Sequence, residues 1–410
     1  MTFDIKARHV ADSIFSETFG RQMRFIAGPR QCGKTTLAKQ ILAQAENSNF
    51  YYNWDRKEIR DRYRSEHSFL STDILGSRLG VKQWVCLDEI HKYPNWKNIL
   101  KDFFDTHENR INFIVTGSAR LDLLRKSGDS LAGRYFLFKL NPFILTELLE
   151  KPVENILPGG NSFEYIEKMI ANKAFEQDAL DIILRFSGFP EPLLHQNTLF
   201  AKKWHDSYIE RIVKEDIRDI SQIRHIEKVM DLIFLLPDKI ASPLSINSLR
   251  KDLELNFNTV KNYINYLVLG YVIFALSPFH KKNTRLIKKE KKIYFYDWTV
   301  IKDKAKRFEN FVAMELKARV DTWNDMLEDD YDLMYVRTKE GKESDFLILK
   351  NQKPFCLFEV KLSSSGISKH HYLHSRLLGD IPFVQLVKAS EILKVENKNF
   401  FIVSASRFFS

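Results

Sequence analysis

Residues 28–35 read Gly28-Pro29-Arg30-Gln31-Cys32-Gly33-Lys34-Thr35, a complete G-x-x-x-x-G-K-[ST] loop. No other stretch constrains the fold so tightly. An apolar run, Phe25-Ile26-Ala27, precedes it, and a helical run from Thr36 to Leu42 follows. The two glycines let backbone N–H groups wrap a phosphate, and the N-terminus of the following helix adds positive potential. In that setting Lys34 reaches the β/γ-phosphates and the Thr35 hydroxyl coordinates Mg²⁺, with Thr36 beside it. The spacing therefore predicts a nucleoside-triphosphate site at the end of a parallel strand, with ATP and Mg²⁺ as its ligands.

With 410 residues the chain has room for two to four domains. Its three cysteines, Cys32, Cys86 and Cys356, form no C-x-x-C pair and have no histidine at metal-ligand spacing. They point to a reduced compartment rather than to a disulfide framework or a zinc site. The first residues lack the apolar core of a signal peptide. The uncharged stretch 262–279 is interrupted by Asn265, Gly270 and Pro278 and reads as helix, turn and strand, not as a membrane span. A cytoplasmic protein is the expectation.

Downstream of the loop, Phe50 to Asp55 reads as a second strand. Trp84-Val85-Cys86-Leu87 then runs into Asp88-Glu89. Four apolar residues ending in two acids describe a buried parallel strand whose C-terminal end faces the ligand. Asp88 takes the Walker-B position holding the Mg²⁺ shell, and Glu89 the position of a general base on water. That acid argues against a small-molecule kinase, which shares the loop but needs no activated water. The next strand, Ile111 to Val115, ends in Thr116-Gly117-Ser118, where Thr116 or Ser118 orients the water. Arg134, ahead of the strand Tyr135 to Phe138, is either a surface arginine or a stabiliser of transition-state charge. In the second case it acts in cis or from a neighbouring subunit of a homo-oligomer.

From Asn141 to about Pro237 the periodicity is helical, broken by the turn Ser187-Gly188-Phe189-Pro190-Glu191. A short helix from Ser245 to Leu253 and a second from Asn258 follow. Val260, Tyr263, Ile264 and Leu267 form the apolar face of the second helix. Its other face carries Asn258, Lys261, Asn262 and Asn265, side chains suited to phosphates and base edges. Strands Tyr271–Leu276 and Ile293–Tyr296 flank a run with seven Lys/Arg, Lys288, Lys289, Lys291 and Lys292 among them, against one acid, Glu290. Helix-turn-helix plus hairpin makes that run a cationic wing and DNA its expected partner. A solvated loop, or a winged helix serving only as a subunit contact, is the plainer alternative.

Near the C-terminus, strands 341–349 and 354–361 are joined by Asn351-Gln352-Lys353. A hairpin centred on Gln352 sets Asp345 opposite Glu359, and like charges facing across strands destabilise the pair. A divalent cation, Mg²⁺ or Mn²⁺, held between them reverses that sign. Lys361 shares the face of Glu359 and is placed to orient water or steady phosphate charge. Glu309 lies with Val312 and Leu316 on an inward helix face, an odd place for an acid without a partner. Asp345, Glu359-Val360-Lys361 and Glu309 fit a PD-(D/E)xK nuclease pattern. The rival reading is a salt-bridged strand pair.

The motifs 28–36, Leu87-Asp88-Glu89, Thr116-Gly117-Ser118, Gly133-Arg134, Gly188-Phe189-Pro190-Glu191, Phe308-Glu309-Asn310 and Glu359-Val360-Lys361 occur in order. Together they resemble the prokaryotic AAA-type P-loop ATPases that carry a C-terminal PD-(D/E)xK nuclease-like domain. The resemblance spans nearly the whole chain, with Cys32 replacing the small aliphatic residue more usual in the loop. It implies an α/β protein built from an ASCE/AAA-type parallel-sheet core (1–150), a helical lid (151–237), a winged helix (238–300) and a restriction-endonuclease-like α/β domain (301–410). The expected function is Mg²⁺-dependent ATP hydrolysis coupled to DNA binding, with or without metal-dependent DNA cleavage. The alternative is a nucleotide-switched scaffold whose nuclease-like domain only recognises a partner.

Overall fold

A computed structural model describes residues 7–74, 82–117, 131–217, 226–280 and 290–410. The chain separates into two compact units. One comprises Arg8–Asn141 with Leu269–Tyr271, the other Pro142–Val268 with Val272–Ser410. The α/β class expected from the sequence is observed.

The first unit is built on a five-stranded sheet in the order β2-β3-β4-β1-β5. Its strands are β1 (Met23–Ala27), β2 (Tyr51–Asn53), β3 (Gln83–Asp88), β4 (Ile111–Gly117) and β5 (Tyr135–Lys139). Every neighbouring pair is parallel. β1 is buried at all positions and β3 at all but Trp84, as expected for strands covered on both faces. β4 lies between the loop strand β1 and the acid-bearing β3. The ends of all three therefore converge on one edge.

In the second unit, helices at Ser162–Ala171, Gln177–Phe186, Thr198–Arg211 and Ile226–Leu235 fill most of the segment read as helical. Helices Ile246–Asp252 and Phe257–Leu269 precede β6 (Ile273–Leu276) and β7 (Lys292–Phe295), which pair antiparallel. A 23-residue helix, Lys304–Met326, is capped by the Asp303 side chain, which accepts the Lys306 N–H. Its apolar stripe of Phe308, Phe311, Val312, Leu316 and Trp323 is buried.

That helix packs on a six-stranded sheet ordered β12-β13-β11-β10-β9-β8. The strands are β8 (Tyr331–Arg337), β9 (Glu343–Lys350), β10 (Lys353–Lys361), β11 (Phe383–Val387), β12 (Leu393–Asn397) and β13 (Phe400–Ser404). Asn351 and Gln352 both take positive φ, 50° and 63°, the backbone of a two-residue turn that matches strand twist. Close to the turn Lys350 faces Lys353 and Leu349 faces Pro354. A bulge between Pro354 and Cys356 then shifts the pairing, so Leu347 faces Leu357 and Phe346 faces Phe358. The hairpin is thus centred half a residue before Gln352, and the bulge restores the register that carries Asp345 toward Glu359.

Candidate functional site

Two polar constellations stand apart from the packed interior, one in each unit. In the first, the strand-to-helix loop closes tightly on its own backbone. Gly33 adopts φ 101° as N-cap of the helix Lys34–Gln44, a left-handed conformation open to glycine at little cost. At Gly28 a Cβ would fall 2.1 Å from the Leu140 carbonyl oxygen, so only glycine fits that approach. Cys32 is fully buried, and Arg8 donates to its carbonyl oxygen at 3.0 Å. Pro29 is buried, Arg30 and Gln31 are partly so, and Thr36 is exposed.

The Lys34 ammonium donates to the carbonyls of Gly28 (3.0 Å) and Pro29 (2.7 Å), which holds it inside the loop. Thr35 Oγ1 donates to Asp88 Oδ2 at 3.0 Å, and the Tyr51 phenol donates to the same oxygen at 2.5 Å. Thr116 Oγ1 donates to the other oxygen, Oδ1, because β3 and β4 set Asp88 beside Thr116. A buried carboxylate ringed by hydroxyls, with a threonine at a helix N-terminus, is an oxygen donor set that fits Mg²⁺. The glycine cradle and Lys34 fit the phosphates that would accompany it. Of the two candidates after β4, Thr116 belongs to this group, whereas Ser118 lies outside the described residues. Tyr51 was not expected from the sequence; its position at the start of β2, next to β3, is the only hint.

Glu89 follows with φ 59°, unusual for a side chain of this size, and its N–H donates to the Thr116 carbonyl at 3.1 Å. Its carboxylate lies 3.0 Å from the Lys92 ammonium. Arg134 stands elsewhere. It precedes β5, whose first residue pairs with Met23 while its last pairs with Ala27, the residue before the loop. One strand of about 16 Å, at ~3.3 Å per residue, separates it from the phosphate edge. Its guanidinium binds Asp105 at 2.7 Å. Of the alternatives left open for Arg134, this placement disfavours the one in cis, because a parallel strand puts its two ends on opposite edges of the sheet.

In the second unit the largest surprise is Lys292. Expected on an exposed wing, it has no exposed surface at all. It opens β7, and its ammonium lies 2.5 Å from Glu343 Oε1 and 3.5 Å from both Glu309 Oε1 and Asp345 Oδ1. As a phosphate contact it is therefore corrected. The positive charge that the facing acids require is a lysine of the chain itself. Tyr294, two residues on and on the same strand face, donates to Glu309 Oε1 at 2.8 Å.

Asp345 Oδ2 accepts the Val360 N–H at 2.9 Å, and the Lys361 ammonium lies 2.6 Å from Glu359 Oε1. Burial and the charge of Asp345 push Glu309 up to about 8, against the pull of Lys292. Burial, then Asp345, push Glu359 up to about 7, against Lys361. Burial alone would depress the Lys292 pKa, but Glu309, Asp345 and Glu343 outweigh it and raise it. His371 Nε2 is 3.7 Å from Glu359 Oε2, yet burial and the neighbouring His370 and His374 hold its pKa down at about 3, so it brings no charge. Among the described residues no group of three or more His, Cys, Asp or Glu is arranged to hold a metal ion. The expected metal pair, Asp345 and Glu359, is thus matched with ammonium groups instead. Glu343 was missed, although its place two residues before Asp345 puts it on the same strand face.

The outer face of helix Phe257–Leu269 is as the periodicity predicts. Val260, Tyr263, Ile264 and Leu267 are buried, while Lys261, Asn262 and Asn265 are exposed. Lys291 is exposed as well; Lys288 and Lys289 lie outside the described residues. Among the described residues no helix is long and apolar enough to cross a membrane.

Residues 20–149 match a family described as AAA domain. Residues 177–305 and 304–405 match two families, each described as a domain of unknown function (DUF8612 and DUF4143). The chain is 25% identical over 391 residues to uncharacterized protein MJ1544 of Methanocaldococcus jannaschii, covering 92% of this chain and 83% of that one. It is 21% identical over 348 residues to uncharacterized protein Rv2008c of Mycobacterium tuberculosis, covering 83% and 70%. Among solved structures, the Aeropyrum pernix ORC1 protein in complex with DNA aligns over 77% of this chain and 95% of its own, at 13% identity. Its TM-score of 0.28 is too low to equate the folds. The match to the AAA domain thus spans most of the N-terminal unit.

Proposed function

We propose that this chain is a Mg²⁺-dependent ATPase whose nucleotide cycle acts on a DNA-binding C-terminal half. The observation carrying the proposal is Asp88, held by Thr35 and Thr116 at the mouth of the glycine loop. In this reading Gly28 to Thr36 cradle the phosphates, with Lys34 turning from its loop carbonyls toward them. Thr35 and Asp88 hold Mg²⁺, which on binding supplies charge neutralisation at the phosphates. Glu89 exchanges its contact with Lys92 for the attacking water, accepts its proton at the carboxylate, and is steadied through its backbone by Thr116. Arg134 reaches phosphate only on a neighbouring copy of the chain.

Two substitutions test this. Lys34→Ala is expected to abolish ATP binding, whereas Glu89→Gln retains binding and loses about 10²–10⁴-fold in turnover. Full turnover in Glu89→Gln would remove Glu89 as the base.

For the C-terminal half, Lys261, Asn262, Asn265 and Lys291 support a nucleic-acid contact, with Lys288 and Lys289 as further candidates from the sequence. Asp345, Glu359 and Lys361 alone would support metal-dependent DNA cleavage, with Glu309 as a further acid. Lys292 favours the other reading, a nuclease-like domain that recognises without cutting. Incubation with Mn²⁺ and supercoiled, linear or single-stranded DNA is then expected to leave each intact.

A further inference from the structure

Four carboxylates from three elements converge in the second unit: Glu309 from the long helix, Glu343 and Asp345 from β9, and Glu359 from β10. Besides the Arg337 guanidinium, 3.3 Å from Glu343 Oε2 at the surface, two ammonium groups answer them, and these two differ in kind. Lys361 is half-exposed, sits two residues from its partner and follows from the local sequence. Lys292 arrives from a separate two-stranded sheet, has no solvent exposure, and stands within 3.5 Å of three of the acids. Its ammonium has three N–H donors and no acceptor, which suits a point between three carboxylates. The Tyr335 ring, 5.4 Å away, adds a second favourable surface for the cation. Glu359 is only 7% exposed, and its Oε2 has no hydrogen-bond partner. One acceptor of the cluster therefore remains unfilled after the lysines are placed.

We propose that Lys292 is a built-in counter-ion that occupies the place of a divalent cation among Glu309, Glu343, Asp345 and Glu359 and keeps such ions out. The inference rests on the reading of a nuclease-like domain that does not cut as it stands. It adds the cause: an ammonium already tethered in place competes with a free ion that must first shed water. Withdrawing the lysine leaves Glu309 with the Tyr294 phenol and Asp345 with the Val360 N–H but neither with a paired cation, and turns the cluster into a cation site.

The test is a titration of the full chain with Mn²⁺, without nucleotide and in an Asp88→Asn background that silences the P-loop. Binding is read by calorimetry and by the shift in unfolding temperature. The parent is expected to show no C-terminal binding. Lys292→Met is expected to bind Mn²⁺ about 10- to 1,000-fold more tightly, the scale set by one unit charge at this distance, and to gain thermal stability with the ion. Adding Glu359→Gln should reverse both. Should Lys292→Met fail to fold, Lys292→Met/Glu343→Gln removes the carboxylate nearest the ammonium along with it, and the same titration applies. Parent protein that binds Mn²⁺ as tightly as the variant, dependent on Glu359, would overturn exclusion by the lysine. A folded variant with no Mn²⁺ response would overturn the cluster as a cation site. Cleavage of DNA by the wild type is scored separately, so failure of the recognition reading is distinguished from failure of this one.

Discussion

Asp88 and Glu359 are both buried carboxylates on strands, yet their surroundings differ in the property that matters most for a cation. Asp88 accepts from three hydroxyls, those of Thr35, Tyr51 and Thr116. Glu359 and its neighbours are matched with ammonium groups. A hydroxyl is neutral and can turn its own oxygen toward a metal, so the first cluster keeps its negative charge available. An ammonium spends that charge, and its removal from a buried site leaves unpaired acids at a cost of about 3–5 kcal/mol. Similar residue types thus surround an acid with neutral hydroxyl donors in one unit and with ammonium donors in the other.

The sharpest way to break the comparison is to neutralise one acid in each cluster. Asp88→Asn is expected to lower Mg²⁺-dependent ATP turnover by more than the roughly 10–100-fold lost when a group that only orients a metal ligand is removed. Asp345→Asn is expected to leave turnover unchanged. Steady-state rates at several Mg²⁺ concentrations decide, and equal losses would erase the distinction.

A smaller effect concerns the exposed cations. Replacing Lys261 and Lys291 with glutamine should lower the slope of log K against log salt for duplex DNA by about 1.8, at ~0.9 per phosphate contact. Replacing Lys292 should not change that slope, because a buried ammonium releases no counterion. A slope that responds to Lys292 would return it to the surface.

Within the second cluster, Asp345→Asn should bring the Glu309 pKa down from about 8, because Asp345 is the strongest charge raising it after burial. Carboxyl carbon shifts followed against pH read this directly, and an unmoved titration would separate the two acids.

The smallest effect lies away from both sites. Glu315 is buried on the long helix, where its Oε1 accepts the Leu145 N–H at 2.6 Å. Burial pushes its pKa up to about 8, only partly offset by Arg319 and that N–H. A carboxyl raised above its unfolded value of 4.5 contributes stability that is full at lower pH and lost as pH rises through about 8. Glu315→Gln should therefore flatten the fall in unfolding temperature between about pH 5 and 8, by a few degrees at the alkaline end. A profile parallel to the wild type would assign the pH dependence to other groups.

Much of this molecule was readable along the chain because its determinants are local. The loop 28–35, the apolar strand ending at Asp88 and the 3-4-7 stripe of Val260, Tyr263, Ile264 and Leu267 are patterns of one element each. Periodicity of 2 or 3.6 carries them without any knowledge of neighbours. Even the convergence of Asp345 and Glu359 followed from hairpin symmetry, although the bulge after Pro354 was needed to make it true.

What the chain could not disclose is which partner arrives from elsewhere. Lys292 sits at the end of a basic run, and by composition it belongs with its neighbours on a solvated wing. Only the meeting of β7 with the helix at Glu309 and the strand at Asp345 turns its side chain inward. Arg134 is similar, since its distance from the loop depends on β5 running parallel beside β1. Charge and identity are properties of residues and are written locally. Burial and pairing depend on elements far apart in sequence, and those set whether an acid waits for a cation or already has one.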